Sequence, residues 1–300
     1  MVNLHISNEM SKGRKMTHYT INEVTPSRSD ITFTGVPYPD LDRTGHWSIW
    51  GIALLFQANR SVGMVNEFMH MDILRQKNVG HVIIKQTMEL KPILYRYTYK
   101  TPIRLRYILE LMDVGKSSVI FHCNLYDADT GTWLGKNDLK FVQINTKTRR
   151  PLAFPDWFHK EFAHLSVSGK FSELQRSTLP KTPDNCFEWK AELRHSDLDK
   201  NYHANQATYI KLCMDCATRA AKAGYFRFYK DDMCLFNVDR FAITYNGESF
   251  VDDKLEVLCW QDDDDECKIL FSFLKNGKQI VFAEFRFGRE RFNLLPPPKL

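Results

Sequence analysis

The sequence is poor in the features that would assign it quickly. Its longest apolar runs, such as "IWGIALLF", fall well short of the roughly 20 residues a bilayer-spanning helix needs. The opening "MVNLHISNEMSKGRKM" has no apolar core, so a secretory leader is not expected. Cysteine is scarce and odd in number, seven at irregular spacing, which suits reduced thiols better than a disulfide framework. The one CxxC, "CMDC" at 213–216, has no second pair and falls in a run with helical spacing, so it reads as buried thiols rather than zinc or redox chemistry. There is no glycine-rich phosphate loop and no G-x-S-x-G elbow. No cofactor and no metal are expected.

What is present is an ordinary globular composition: 300 residues, 43% hydrophobic and 26% charged, enough for one large domain or two medium ones. The net charge of +5 permits phosphorylated or acidic partners without implying nucleic acid. An intracellular, cytoplasmic protein is the expectation. The terminal Pro298-Lys299-Leu300 offers a weak peroxisomal alternative, although a solvated tail is the simpler reading.

An internal repeat organises the chain. "DLDRTGH" at 40–46 aligns with "DLDKNYH" at 197–203, placing Asp40, Leu41, Asp42, Arg43 and His46 on Asp197, Leu198, Asp199, Lys200 and His203 at one constant offset. The flanks agree. A short alternating run precedes each copy, "ITFTG" and "FEWKAEL", as a half-buried strand requires. A helical stretch follows each. In the later copy, Tyr209, Leu212, Cys213, Cys216, Ala217 and Ala220 form one apolar face, and Gly224 is a plausible end. In the earlier copy, "WSIWGIALLFQANRSVGMVNEFM" is apolar over most of its circumference, which predicts deep burial.

About four alternating strands then follow in each half, with Asn276-Gly277 signalling a type I′ hairpin. One long helix against one curved antiparallel sheet is an α+β arrangement, and two in tandem make a double hotdog. The expected divisions are a poorly ordered segment 1–28, a first hotdog 29–145, a connector 146–187, a second hotdog 188–292 and a tail 293–300.

The motif carries more polar chemistry than a helix entrance needs. Asp199, Asn201 and His203 sit at i, i+2 and i+4, so a carboxylate and an imidazole can converge beside a helix N-terminus, whose free N–H groups suit an oxyanion. Asn205 is the better candidate for the cap. The earlier copy has Thr44 for Asn201 and Ser48 for Asn205, so the later copy is equipped for chemistry and the earlier one is stripped of it. Capping alone is the plain alternative.

The segment "RHSDLDKNYHANQATYI" closely resembles the C-terminal hotdog of the acyl-acyl-carrier-protein thioesterases of plants and bacteria, where it runs roughly R-x-S-D-L-D-x-N-x-H-V-N-N-x-x-Y-I. The match covers Arg194, Ser196, Asp197, Leu198, Asp199, Asn201, His203, Asn205, Tyr209 and Ile210. The resemblance implies catalytic roles for Asp199, Asn201 and His203. It extends to a glutamate in a segment like E-C-x-x-D-x-x-L, here Glu248, Asp252 and Leu255 of "ESFVDDKL". Ser249 replaces the family's cysteine, which excludes a cysteine nucleophile there; Ala204 and Gln206 are further departures. Asn205, Tyr209 and Ser249 would line the substrate.

The implied activity is hydrolysis of acyl-CoA or acyl-carrier-protein thioesters, with the acyl chain between helix and sheet. The carrier arm would meet a basic rim, for which "KTRR" at 147–150 and Arg286, Arg289 and Arg291 are candidates. Two rivals stand beside this: a non-catalytic acyl-binding or scaffolding protein, and a hydratase. The hydratase segment G-D-x-N-P-x-H needs a glycine and a proline that are missing here. Pairing of two chains into a homodimer is left open.

Overall fold

The computed structural model describes residues 18–165, 171–175 and 179–292. The strands are β1 (Tyr19–Val24), β2 (Arg28–Thr34), β3 (Val79–Leu90), β4 (Arg104–Val114), β5 (Ser118–Asp127), β6 (Trp133–Asn145), β7 (Phe187–Glu192), β8 (Phe236–Tyr245), β9 (Lys254–Gln261), β10 (Lys268–Lys275) and β11 (Lys278–Arg291). The α-helices are α1 (Ile49–Val65), α2 (Met71–Leu74), α3 (Asp156–Glu161) and α4 (Gln206–Lys222).

All eleven strands join one antiparallel sheet in the order β1-β2-β4-β5-β6-β3-β8-β11-β10-β9-β7. Read outward from the β3–β8 seam, the two halves have the same order over five strands, and β1 adds a sixth at the edge of the first half. Each is strand, motif, helix and four strands, and the repeat in the sequence is a repeat in space. The seam is a true ladder, with Lys85 to Glu89 opposite Thr244 to Arg240. It removes the open edges that single copies would present. This is a tandem hotdog.

The two long helices form where the spacing requires and stop where it ends. The Ser48 hydroxyl accepts the Gly51 N–H at 3.0 Å to start α1, and the Asn205 amide oxygen accepts the Ala207 N–H at 2.9 Å to start α4. Gly224, with φ +85°, follows the end of α4 in the left-handed region that glycine supplies. α1 packs on β2 and β4, α4 on β7 and β9, and the helices pack on each other. Trp47, Phe56, Phe121, Phe271 and Phe285 are all fully buried in the shared core. Cys213 and Cys216 are buried within α4. The Asn276-Gly277 turn has φ of +53° and +72°, the type I′ pattern.

Two expectations change. Residues Tyr19–Val24 lie in the segment expected to be poorly ordered, yet they form β1, the edge strand beside β2. The Asn22 amide fastens it by donating to Asp30 at 2.8 Å and Thr32 at 2.9 Å, a cross-strand anchor that only the folded register creates. The connector is also less loose than its prolines suggest, because Phe154, Phe158 and Phe162 are buried. Residues 1–17 and the tail with Pro298-Lys299-Leu300 lie outside the described residues. Among the described residues no helix is long and apolar enough to cross a membrane.

Candidate functional site

Both motif copies fold into the same loop. The Asp42 N–H donates to the His46 carbonyl, and the Asp199 N–H to the His203 carbonyl, each at 2.8 Å. Bridges Leu41–Trp47 and Leu198–Ala204 close the two loops. In each, a residue with positive φ makes the turn: Gly45 at +85° in the first and Tyr202 at +62° in the second. A bulky side chain in that region is strained by about 1–2 kcal/mol. The shared Asp and His positions therefore serve the loop, and the differences lie in what the side chains do.

In the first copy they are used up. Asp42 Oδ1 accepts the Thr44 N–H at 2.8 Å, the Thr44 hydroxyl at 2.6 Å and the His46 N–H at 3.3 Å. His46 is only 3% exposed, lies 2.8 Å from Thr44 Oγ1 and packs on Phe292. Burial pulls its pKa below the usual imidazole value. Arg43 turns away to the other half, where Asp232 receives it through two bonds of 2.6 and 2.7 Å. Replacing Asp42 by Ala strands two backbone N–H groups and the Thr44 hydroxyl. We expect a loss of ~1–3 kcal/mol in denaturant titration, with activity per folded molecule retained.

The second copy is open. Asp199 accepts the Asn201 N–H at 2.7 Å and approaches Asn201 Nδ2 at 3.4 Å, both in exposed surroundings. Asp197 instead supports the turn, accepting the Arg194 N–H at 2.9 Å. His203 Nδ1 lies 3.5 Å from Glu248 Oε1, with the ring edge against Phe250. Glu248 comes from the β8–β9 loop, which is tied to the motif by the Ala204 N–H donating to the Ser249 carbonyl at 2.8 Å. The Lys275 ammonium steadies the same loop through the Glu248 carbonyl and Asp253, both at 2.8 Å. Tyr209 and Ser249 are buried beneath it, and burial raises the Tyr209 pKa.

One residue joins the site from the connector, just beyond the first half. Arg149, in the turn after β6 and with φ +57°, forms an ion pair with Glu248. Sequence reasoning placed it in a basic rim only; no local pattern marks so distant a contact. Burial and then the Arg149 charge pull the His203 pKa below its usual value, while Asp199 opposes them. His203 is therefore neutral at pH 7. Arg286, Arg289 and Arg291, the other rim candidates, pair with Asp265, Glu266 and Asp231. Among the described residues no cluster of His, Cys, Asp and Glu could hold a metal ion.

No protein-family model and no curated protein sequence matches the chain. Solved structures do. One is a 12:0-ACP thioesterase from Umbellularia californica, 16% identical, with a TM-score of 0.68 over 87% of this chain and 97% of that one. The chain has the fold of the acyl-ACP thioesterases. A second structure of that fold, an acyl-ACP thioesterase from Bacteroides thetaiotaomicron, is 18% identical, with a TM-score of 0.66 over 87% of this chain and 98% of that one. The thioesterase fold thus spans both halves of the chain and places each motif at the entrance of its long helix.

Proposed function

We propose that this protein hydrolyses acyl thioesters carried on coenzyme A or acyl carrier protein, at one site built from the second motif copy. The observation that carries this reading is the contrast between copies. One loop geometry is used twice, yet only the second leaves a carboxylate, an amide and a neutral imidazole open beside a helix N-terminus.

In this reading the Gln206 N–H, in the first turn of α4, faces the thioester oxygen and stabilises the developing oxyanion. Asp199 takes a proton from water as the new C–O bond forms, and Asn201 orients that water. The C–S bond then breaks, and the proton ends on the departing thiolate, so the products are a carboxylic acid and a free thiol. His203, positioned by Glu248, helps to orient the attacking water by accepting a hydrogen bond from it, which requires the neutral ring.

The test is thiol release from a panel of acyl-CoA and acyl-carrier-protein thioesters across pH. Turnover is expected, with its acid limb below pH 6.5 because the His203 pKa is lowered. Protonation of His203 ends activity as pH falls through that limb. In Arg149→Gln a neighbouring cation is gone, so the limb moves to higher pH. A binding-only reading draws on the Arg149–Glu248 pair, which occupies one of the two carboxylates. No turnover with any acyl chain would favour it.

A further inference from the structure

Arg60 in α1 is a cation in the interior. It is 7% exposed, its guanidinium lies 5.1 Å over the Phe141 ring, and its Nη1 is buried with no hydrogen-bond partner among the described residues. No carboxylate pairs with it among the described residues. The groups that interact with it electrostatically are the Cys123 thiol and the Tyr245 phenol, and burial raises both pKa values far enough to keep them neutral. Arg60 itself is pulled down only to about 10 and stays charged at pH 7. An uncompensated buried charge is expensive, and an anion arriving beside it would offset that cost.

The surroundings are prepared in the same way. Asn59 is 0% exposed, with Oδ1 unpartnered and Nδ2 in a weak 3.5 Å contact with Cys123 Sγ. Asn137, opposite Cys123 on the neighbouring strand, is 1% exposed with Nδ2 unpartnered. Its Oδ1 accepts from Gln86 at 3.2 Å, and Gln86 accepts from the Tyr245 hydroxyl at 3.3 Å.

This polar seam leads to the candidate site. Tyr245 packs on Tyr209 in α4. One turn before Arg60, Gln57 accepts from Gln206, the first residue of α4, at 3.3 Å. Arg60 therefore stands about 4.5 Å of helix rise beyond the point where the α4 N-terminus meets α1. In the thioesterase reading, an acyl chain passing inward between α1 and α4 from that point would meet the guanidinium.

We propose that Arg60, with Asn137, forms a subsite for a carboxylate at the far end of the acyl group, making monothioesters of dicarboxylic acids the favoured substrates. The subsite rests on the thioesterase reading for the reaction, but its binding consequence can be measured without turnover. A guanidinium receives a carboxylate through two parallel N–H donors, and the Asn137 Nδ2 supplies a third.

The test compares chains of equal length, adipyl-CoA with hexanoyl-CoA and suberyl-CoA with octanoyl-CoA, in wild type, Arg60→Met and Arg60→Lys. In wild type kcat/KM should favour the carboxyacyl member at least ~10-fold. Arg60→Met should lose or invert that ratio, retain hexanoyl-CoA hydrolysis, and melt at or above the wild-type temperature, because an uncompensated buried charge is gone. Arg60→Lys should keep part of the preference.

A wild type that favours hexanoyl-CoA, or a ratio unchanged in Arg60→Met, overturns the subsite. So does 6-hydroxyhexanoyl-CoA outperforming adipyl-CoA, or failure of both variants to fold, which would make Arg60 structural. If no thioester is cleaved, the thioesterase reading falls, and calorimetric binding of adipyl-CoA against hexanoyl-CoA decides the subsite. A carboxylate preference abolished in Arg60→Met upholds it; equal affinities overturn it.

Discussion

Asp199→Asn is expected to lower kcat by ~10³, about 4 kcal/mol of transition-state stabilisation, with KM little changed. The substitution is close to isosteric. An asparagine at this position still presents an oxygen to the Asn201 N–H, which Asp199 now accepts at 2.7 Å, so the loop keeps its shape. What disappears is the negative charge and the basicity that would take a proton from water. Single-turnover release of thiol separates this from a defect in product departure. The matched Asp42→Asn variant is the internal control, since that carboxylate is enclosed by Thr44 and His46. A rate for Asp199→Asn within ~10-fold of wild type would shift the base role to Glu248.

The largest loss of stability is expected for Phe285→Ala, ~3–5 kcal/mol. Phe285 is fully buried in β11, stacked on Phe241 at 5.2 Å and edge-on to Phe271 at 5.3 Å. Phe241 is opposite Met88 across the β3–β8 seam, so the cavity would open where the halves meet. Ring neighbours on two other strands hold the space rigidly, which limits collapse around it. A guanidinium titration should show a lower midpoint with an unchanged slope. A loss below ~1 kcal/mol would mean that the stack repacks around the void.

Much of this architecture was legible because it rests on local periodicity. The β-rich apolar runs "CKILFSFL" and "QIVFAEFRF", buried over successive residues on both faces, the Asn276-Gly277 turn and the Asn205 cap all follow from a few neighbouring residues. The site was legible only in part. Asp199, Asn201 and His203 share one short loop, and Glu248 was reached through resemblance. Arg149 could not be anticipated, because its contact with Glu248 joins the connector to a loop about a hundred residues further along the chain. Arg60 was hidden for the opposite reason. In "FQANRSVG" the mostly apolar circumference predicts burial but does not mark which polar residues turn inward: Ser61 is exposed, while Asn59 and Arg60 are inside.

Joining the two hotdogs through one sheet also releases them from symmetry. Two identical chains meeting at such a seam would carry every side chain twice, at equivalent places. Here the position of Arg60 in α1 is held in α4 by Ala217, and that of Asn59 by Cys216. The fused chain can thus be polarised, with its open loop chemistry in one half and its unpaired cation in the other. A molecule lying between them has a defined head and tail before any contact along its length is counted.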